Sequence, residues 1–600
     1  MSHRRSSPGP FAALVAAVLI TAADAQTLPD YTIAVRSFPR IQQPYMQPRI
    51  AGPNLANTTP LSVQDGKLHL TMEQLVSLVV ENNLNVASAR YYPSIAQTDL
   101  LRARSGNSPR GVDASQIPSG VFSGAVGGSI LGTAGGGGGG SSNPGGITGS
   151  AGRVSIRPAG LYDPSLSLSF SMDHTASPLN TVVVAGIPSV TTTTAAFSVN
   201  YVQAFSTGTS FTVSYGMQRQ SSTQLHLLYD PAFTPGFTAT VSQQMLNGFG
   251  FAVNRALIKV AENEQKIEQE SFRQQVLTAL VNAQNTYWDL VAAREAAVSA
   301  EKAVAVAQEL EKENRRQFEI GTMARLDVVG AESQVAASQR DLIVAQTSVQ
   351  NLELQLKGMI SRNLEEPLAS ATIETDPLPN PDGYPTPDVE ASKAIAMQNR
   401  PDISIAEGNI KSQVDALPFI RNALLPNFNV FALVTTVGLY NVFGTSFVDA
   451  IHFKYPEVAF GVTISFPMRN RQAQADEVRS TLTLKQARDT LVRSKSQVDV
   501  DVENALIALN QSKAQVGAAK QAVRLEQQKL DAEQKKLTLG LSTSYNVILV
   551  QRDLFTAELA ETQARNAFAK ARVALSQAQG STLEDNHVTL DEALRGRLTR

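Results

Sequence analysis

The residue types best suited to chemistry are scattered along this chain. His69, His174, His226, His452 and His587 stand singly, and none has the spacing with which a helix or hairpin presents imidazoles to zinc. Cysteine does not occur, which excludes disulfides, thiolate metal sites, cysteine nucleophiles and a lipid-modified N-terminal cysteine. The run Gly135 to Gly140 lacks the lysine and following Ser/Thr that a phosphate-binding loop needs. Asp499, Asp501 and Glu503 fall on a long helical stretch and read as a solvated acidic face. No catalytic constellation emerges, so the expectation is a protein that is not an enzyme and that takes no cofactor or metal.

Composition narrows the partners. Across 600 residues, 51 Lys and Arg nearly balance 53 Asp and Glu, for a net charge of −2. A nucleic-acid partner would require a basic face, and none is expected. Trp288 is the single tryptophan, and aromatics are sparse for a large compact core. Arg4 and Arg5, the apolar Phe11 to Ala22 and the small-x-small Ala23-Asp24-Ala25 read as a cleaved signal peptide over 1–25. That apolar run is too short to span about 30 Å of hydrocarbon. Beyond it no stretch of about 18 apolar residues occurs, so any membrane insertion must use β-strands.

The elements that would position a site form a unit that occurs twice. Residues 26–69 read as an extended N-terminal arm, ending at Leu70-Thr71-Met72-Glu73-Gln74-Leu75, where Thr71 is a candidate helix cap. That helix carries Glu81-Asn82-Asn83 and fades near Ser105. A similar helix follows Pro387, contains Asn399-Arg400-Pro401-Asp402, and is expected to break near Pro418 and Pro426. Each helix precedes strands with a period of two. Leu166, Leu168, Phe170 and Met172 alternate with serines, and Val458, Phe460, Val462, Ile464 and Phe466 alternate with small residues.

Two long proline-free helical stretches follow, about 253–318 and 473–537, each close to 100 Å at 1.5 Å per residue. The second carries a seven-residue apolar series at Val502, Leu509, Val516, Val523, Leu530 and Leu537. The first spaces Val276, Leu280, Ala283, Tyr287 and Leu290 by fours and threes. Such seams require partner helices. Each stretch ends at a glycine turn, Ile320-Gly321-Thr322-Met323-Ala324 and Leu539-Gly540-Leu541-Ser542-Thr543, before a return helix. Glycine stops a helix by taking the left-handed conformation cheaply. The two glycines stand 219 residues apart (540 − 321), and the strand ends show nearly the same offset.

This order resembles the TolC-type outer membrane efflux protein family, from about Leu70 to Gln579. The most specific matches are the two glycine turns, Leu-Thr-Met-Glu-Gln-Leu with Glu-Asn-Asn, and Asn-Arg-Pro-Asp. The resemblance implies a mixed α and β membrane protein. It would be a homotrimer whose strands share one transmembrane β-barrel in outer-membrane lipid, continued by a periplasmic α-helical barrel, a coiled-coil tunnel built from two internal structural repeats. It implies a passive exit duct that docks on a periplasmic adaptor (a membrane fusion protein) and an inner-membrane pump. The expected organisation is repeat 1 over 70–360, a linker over 361–387, repeat 2 over 388–579 and a tail over 580–600. The resemblance also implies that the turns Ile320, Gly321, Thr322, Met323, Ala324 and Leu539, Gly540, Leu541, Ser542, Thr543 contact the adaptor. Some relatives carry paired acidic residues after the second turn as a periplasmic gate. Here those positions are Asn546 and Leu549, and Asp327 stands at the equivalent place in the first half.

The chain departs from the family in a Gly-rich insertion over 106–160 and in an added strand-like pair in the first half, with Phe197, Val199 and Tyr201 alternating in one segment and Phe211, Val213, Tyr215 and Met217 in the other. Four strands are expected there, about 164–172, 196–205, 209–218 and 236–246, against two in the second half, about 427–437 and 457–466. Long connections alternate with the short Ser206-Thr207-Gly208, as in a chain running up and down through a membrane. Six membrane strands per protomer is one reading. The other keeps four, with the middle pair as a hairpin outside the cell. A channel for type I protein secretion, instead of efflux of small molecules, drugs or metals, is the alternative function. A periplasmic adaptor or structural coiled-coil protein is the alternative from another class.

Overall fold

A computed structural model describes residues 66–106, 162–178, 186–225, 227–362 and 368–596. The expected signal peptide, most of the N-terminal arm, His226 and nearly all of the Gly-rich insertion lie outside the described residues. The element order begins with β1 (Lys67–Leu70), α1 (Met72–Asn82), α2 (Leu84–Ala89) and α3 (Tyr91–Arg104). Strands β2 (Ser165–Pro178), β3 (Ser189–Ala204), β4 (Thr209–Ser222) and β5 (Ala232–Gln244) follow. A short turn of helix, α4 (Phe251–Asn254), leads to the long α5 (Ala256–Glu319) and its return α6 (Arg325–Ile360). Then come β6 (Thr372–Thr375), α7 (Val389–Asn399), α8 (Pro401–Asn422), β7 (Asn427–Val437), α9 (Phe443–Ile451) and β8 (Pro456–Ser465). The chain continues through α10 (Arg471–Thr538), α11 (Ser544–Gln579), α12 (Thr582–Asp585) and α13 (Leu590–Arg595).

Local chemistry sets the helix boundaries. Thr71 and Gln74 form a reciprocal capping box at the start of α1. Asn83 then ends α1 and caps α2 by accepting from the amides of Asn85 and Val86, so the expected single helix is broken into pieces. Arg400 stands before Pro401 at the first position of α8, where the missing N–H has no intrahelical partner to lose. Contrary to expectation, α8 does not break at Pro418 but continues to Asn422. Proline forfeits one ladder bond there, and the burial of Ala416 and Ile420 on either side holds the helix together.

The long helices pack as pairs. The spaced series on α5, Val276, Leu280, Ala283, Tyr287 and Leu290, is fully buried against α1, Leu356 and Ile360 of α6, and Leu583 and Val588. The Tyr287 hydroxyl donates to the Leu70 carbonyl (3.0 Å) and accepts from the Asp376 amide (2.9 Å). Burial pushes that phenol up to about 12. On α10, Val502, Leu509 and Val516 pack with Phe568 and Leu575 of α11, while Leu530 forms a separate cluster with Val547 and Val550. The two halves join where Lys570 and Asn566 of α11 meet Asp289 of α5, at 2.9 and 2.8 Å.

Two segments read as arm or linker are structured. Lys67–Leu70 and Thr372–Thr375 pair as a parallel two-stranded sheet. The region expected to be a tail sends Leu583, Val588 and Ala593 into the main core. There the buried Arg90 donates to the Ala593 carbonyl (2.8 Å) and to that of Val80. Desolvation, helped by the nearby Arg362 charge and opposed by Glu81, pulls Arg90 down to about 10. Asp501 and Glu503 are likewise not a simple solvated face: Asp501 pairs with Arg400 (2.8 Å) and Glu503 with Lys393 (2.6 Å). They reach partners on α7 and at its C-terminal cap.

The remaining strands form one six-stranded antiparallel sheet in the order β2-β3-β4-β5-β7-β8. Its strands start and stop at a junction beside the helices. Gly208, with φ +88°, sits so close to the Gly248 carbonyl that a β-carbon there would overlap it. Gln244 and Gly250 donate backbone N–H groups to Gly208 and Thr207, at 3.1 and 3.2 Å. Asn254 and Asn422 side chains bind the 246–248 backbone, and the Tyr162 hydroxyl donates to the Asn254 carbonyl. The β3–β4 turn therefore faces the helices. An outward hairpin would put it at the opposite end of the sheet.

Candidate docking tips and membrane face

The two tips are built alike. At the first, Gly321 (φ +83°) follows the last helical residues of α5; its N–H donates to the Phe318 carbonyl (2.9 Å), and that of Thr322 to Gln317 (2.9 Å). At the second, Gly540 (φ +71°) donates to Leu537 (3.0 Å), and Leu541 to Lys536 (2.8 Å). This paired pattern satisfies the last carbonyls of each helix and needs a left-handed residue at its centre, which is why glycine stands there. Beyond each glycine and its chain neighbours, no atom of the described residues lies within 4 Å of where a β-carbon would sit, so the turns are open.

Three apolar side chains beside the glycines are exposed. Ile320 is 71% accessible, Leu539 72% and Leu541 76%, while Met323 is half-buried. Thr543 caps α11 by accepting from the Asn546 amide (3.4 Å), whereas Ala324 opens α6 without a side-chain cap. The Ser542 hydroxyl donates to Glu533, which also pairs with Lys536 (3.0 Å). These contacts, Ser542 first, hold the Glu533 carboxyl below its usual range. Asp327 and Asn546 are exposed within the first turns of α6 and α11, each beside a buried valine, Val328 or Val547. Asn546 bonds to Thr543 and Ser542, each at 3.4 Å, and not to Asp327.

The sheet carries two chemically different faces. Register aligns Leu168, Val199, Tyr215 and Phe237 across four strands. Val434 and Val458 extend the same face across the other two. Tyr215 and Phe237 stack at 4.8 Å on it. The other face is rich in hydroxyls that bond across strands, Ser169 with Ser198 (2.6 Å) and Thr238 with Thr435 (2.8 Å). The apolar side chains of the edge strands are open, with Phe170 72% and Phe460 88% accessible. Sequence reading missed α9, whose Phe447 lies over Tyr215 and Phe237 on the apolar face, at 6.1 and 5.8 Å. The i, i+4 pair Phe443 and Phe447 was the signal available for it.

Among the described residues no cluster of three metal-ligating side chains occurs, and no helix is long and apolar enough to cross a membrane.

The family model for outer membrane efflux protein matches residues 209–362 and 394–581, one match in each half. Outer membrane efflux protein BepC of Brucella suis is 23% identical over 355 residues, 58% of this chain and 72% of that protein. Pyoverdine export outer membrane protein OpmQ of Pseudomonas aeruginosa is 22% identical over 353 residues, 58% of this chain and 70% of OpmQ. In structure the chain is similar to the Campylobacter jejuni CmeC outer membrane channel, with a TM-score of 0.59 at 14% identity, covering 88% of this chain and 90% of that one. It is also similar to VceC of Vibrio cholerae, with a TM-score of 0.54 at 15% identity, covering 85% and 96%. With both halves matched and the fold shared along nearly its whole length, the chain belongs to the outer membrane efflux protein family and is an outer-membrane exit duct.

Proposed function

We propose that three copies of this chain form the outer component of a tripartite efflux system, docked through the tips of their long helices on a periplasmic adaptor that couples them to an inner-membrane pump. The observation that carries the docking role is the pair of matched glycine turns, whose exposed Ile320, Leu539 and Leu541 would otherwise face water at the ends of helices 64 and 68 residues long. Open turns with protruding apolar side chains offer a helical hairpin both close approach and a surface to bury. The duct itself is passive, and the pump selects the cargo. OpmQ is named for pyoverdine export and BepC for efflux, which supports a small-molecule cargo over a secreted protein.

Leu541→Arg tests the docking role, because it adds bulk and charge without disturbing the left-handed glycine. Export by cells carrying it should fall to the level of a strain without the duct, while the oligomer remains in the outer membrane. Full export by this variant, and by Leu539→Arg beside it, would remove docking from these turns.

A further inference from the structure

The four strands that lie within the family-matched residues, β4, β5, β7 and β8, stand side by side in the sheet. Strands β2 and β3 lie before the match and attach to the outer edge of β4. The added pair is thus the first two strands of the sheet, not the middle two. Its position has a geometric consequence. In a barrel of four strands per protomer, the β4 edge of one copy would pair with the β8 edge of the next. Here β3 occupies that β4 edge continuously, from Thr192 opposite Ser222 to Ala204 opposite Ser210. Among the described residues, the edges left open are those of β2 and β8.

We infer that β2 of one copy pairs with β8 of the next, so that three copies close an 18-stranded barrel, six strands from each. This rests on the trimeric duct proposed above. An open strand edge in lipid leaves backbone polar groups unsatisfied, so the ring must close on whichever edges remain. The directions suit closure: adjacent strands alternate, so β2 and β8 run oppositely and meet as an antiparallel pair. The faces suit it too. Leu166, Leu168 and Phe170 of β2 would join Val458, Phe460 and Val462 of β8 on one apolar belt, with small residues on the other side. At 14 and 16 residues, β2 and β3 exceed the roughly 9–11 that a tilted strand needs to cross a bilayer.

Barrel diameter grows about linearly with strand number, so the exit is about one and a half times as wide as a twelve-stranded ring. Its inner face along the added pair is lined by Ser167, Ser169, Ser198 and Asn200. The outer-membrane mouth then passes cargo bulkier than a twelve-stranded ring admits, through a hydroxyl-lined opening.

The chain has no cysteine, so engineered pairs report cleanly. Phe170→Cys in β2 is combined in turn with Val458→Cys, Phe460→Cys, Val462→Cys and Ile464→Cys in β8, and outer membranes are oxidised. At least one pair should yield disulfide-linked dimers and trimers on denaturing gels. Val213→Cys in β4 with the same β8 set should yield none. Cross-linking of β4 to β8 would establish the twelve-stranded ring and overturn the proposal, as would an intact trimer in which no β2 pair cross-links. Single Val199→Cys and Phe460→Cys variants separate this failure from that of the duct. If only Val199→Cys reacts readily with a water-soluble maleimide, the added pair lies outside lipid and the duct stands. If both react readily, the membrane barrel itself is wrong.

Discussion

Arg400 Nη1 donates to Asp501 Oδ2 at 2.8 Å, fastening the start of α8 to the body of α10. The same guanidinium forks onto Asp402 at 3.0 and 2.9 Å. Desolvation disfavours its charge, but the hydrogen bonds to Asp402 and Asp501 outweigh that and raise its pKa above the usual value. Close by, a β-carbon at Gly580 would press on the Asn399 carbonyl at 3.0 Å, so the Asn-Arg-Pro-Asp segment is seated tightly against the end of α11. This arrangement gives the motif a structural role that its sequence did not disclose.

Removing the guanidinium takes both of its hydrogen bonds from the part-buried Asp402 and leaves Asp501 with the one from Gln497. Arg400→Met should lower stability by about 2 kcal/mol, the scale of charged hydrogen bonds lost from one side. Arg400→Lys should recover only part of it, because an ammonium cannot fork onto one carboxylate while reaching the other. Denaturation of the detergent-solubilised protein measures both. Equal stability of all three forms would leave the network without energetic weight.

If Asp327 lines a periplasmic constriction, three copies around an axis concentrate negative potential there. Asp327→Asn should then weaken block of single-channel current by multivalent cations applied from the helical side, with little change in protein stability, since the side chain is exposed. Asn546→Asp should strengthen the block. Identical block in the wild type and both variants would assign Asp327 to solvent.

Glu264 on α5 supplies a pH dependence. Burial first, then the neighbouring Glu268 and Asp99 charges, push its carboxyl up to about 8, and among the described residues its Oε1 has no hydrogen-bond partner. Unfolded, the group titrates near the ordinary carboxylate value, so between the two the native state holds the proton that the unfolded state releases. Its favourable contribution is complete below about pH 4.5 and is lost as pH rises through about 8. Glu264→Gln should therefore flatten the decline, stabilising the protein at pH 9 while leaving it nearly unchanged at pH 4. A variant whose stability falls with pH as steeply as the wild type would show that Glu264 is ionised in the native protein.

Much of this architecture is legible in the residues because it rests on local signals. The heptad series on α10 and the spaced series on α5 fall on buried seams, since a helical period reports which face is covered. The left-handed backbone at Gly321 and Gly540 follows from glycine at the end of a long apolar period. Pairings over long sequence distances were not legible: β1 with β6, Arg90 with Ala593, Arg400 with Asp501. Each joins short or charged segments whose own pattern reads equally well as solvent-exposed. The strands of the first half run longer than their alternation suggested, because Thr191 to Thr194 is polar on both faces and hides the period. Sheet order was out of reach for the same reason: alternation assigns faces but not neighbours.

Membrane location and oligomeric state together test the shared barrel most directly. Membranes from cells expressing the chain are separated by density, and the fractions are run on denaturing gels with and without boiling. The protein is expected in the outer-membrane fraction, migrating as a trimer that boiling converts to a monomer. Recovery in the soluble periplasmic fraction, or as a monomer under both conditions, would contradict a shared barrel and with it the exit duct.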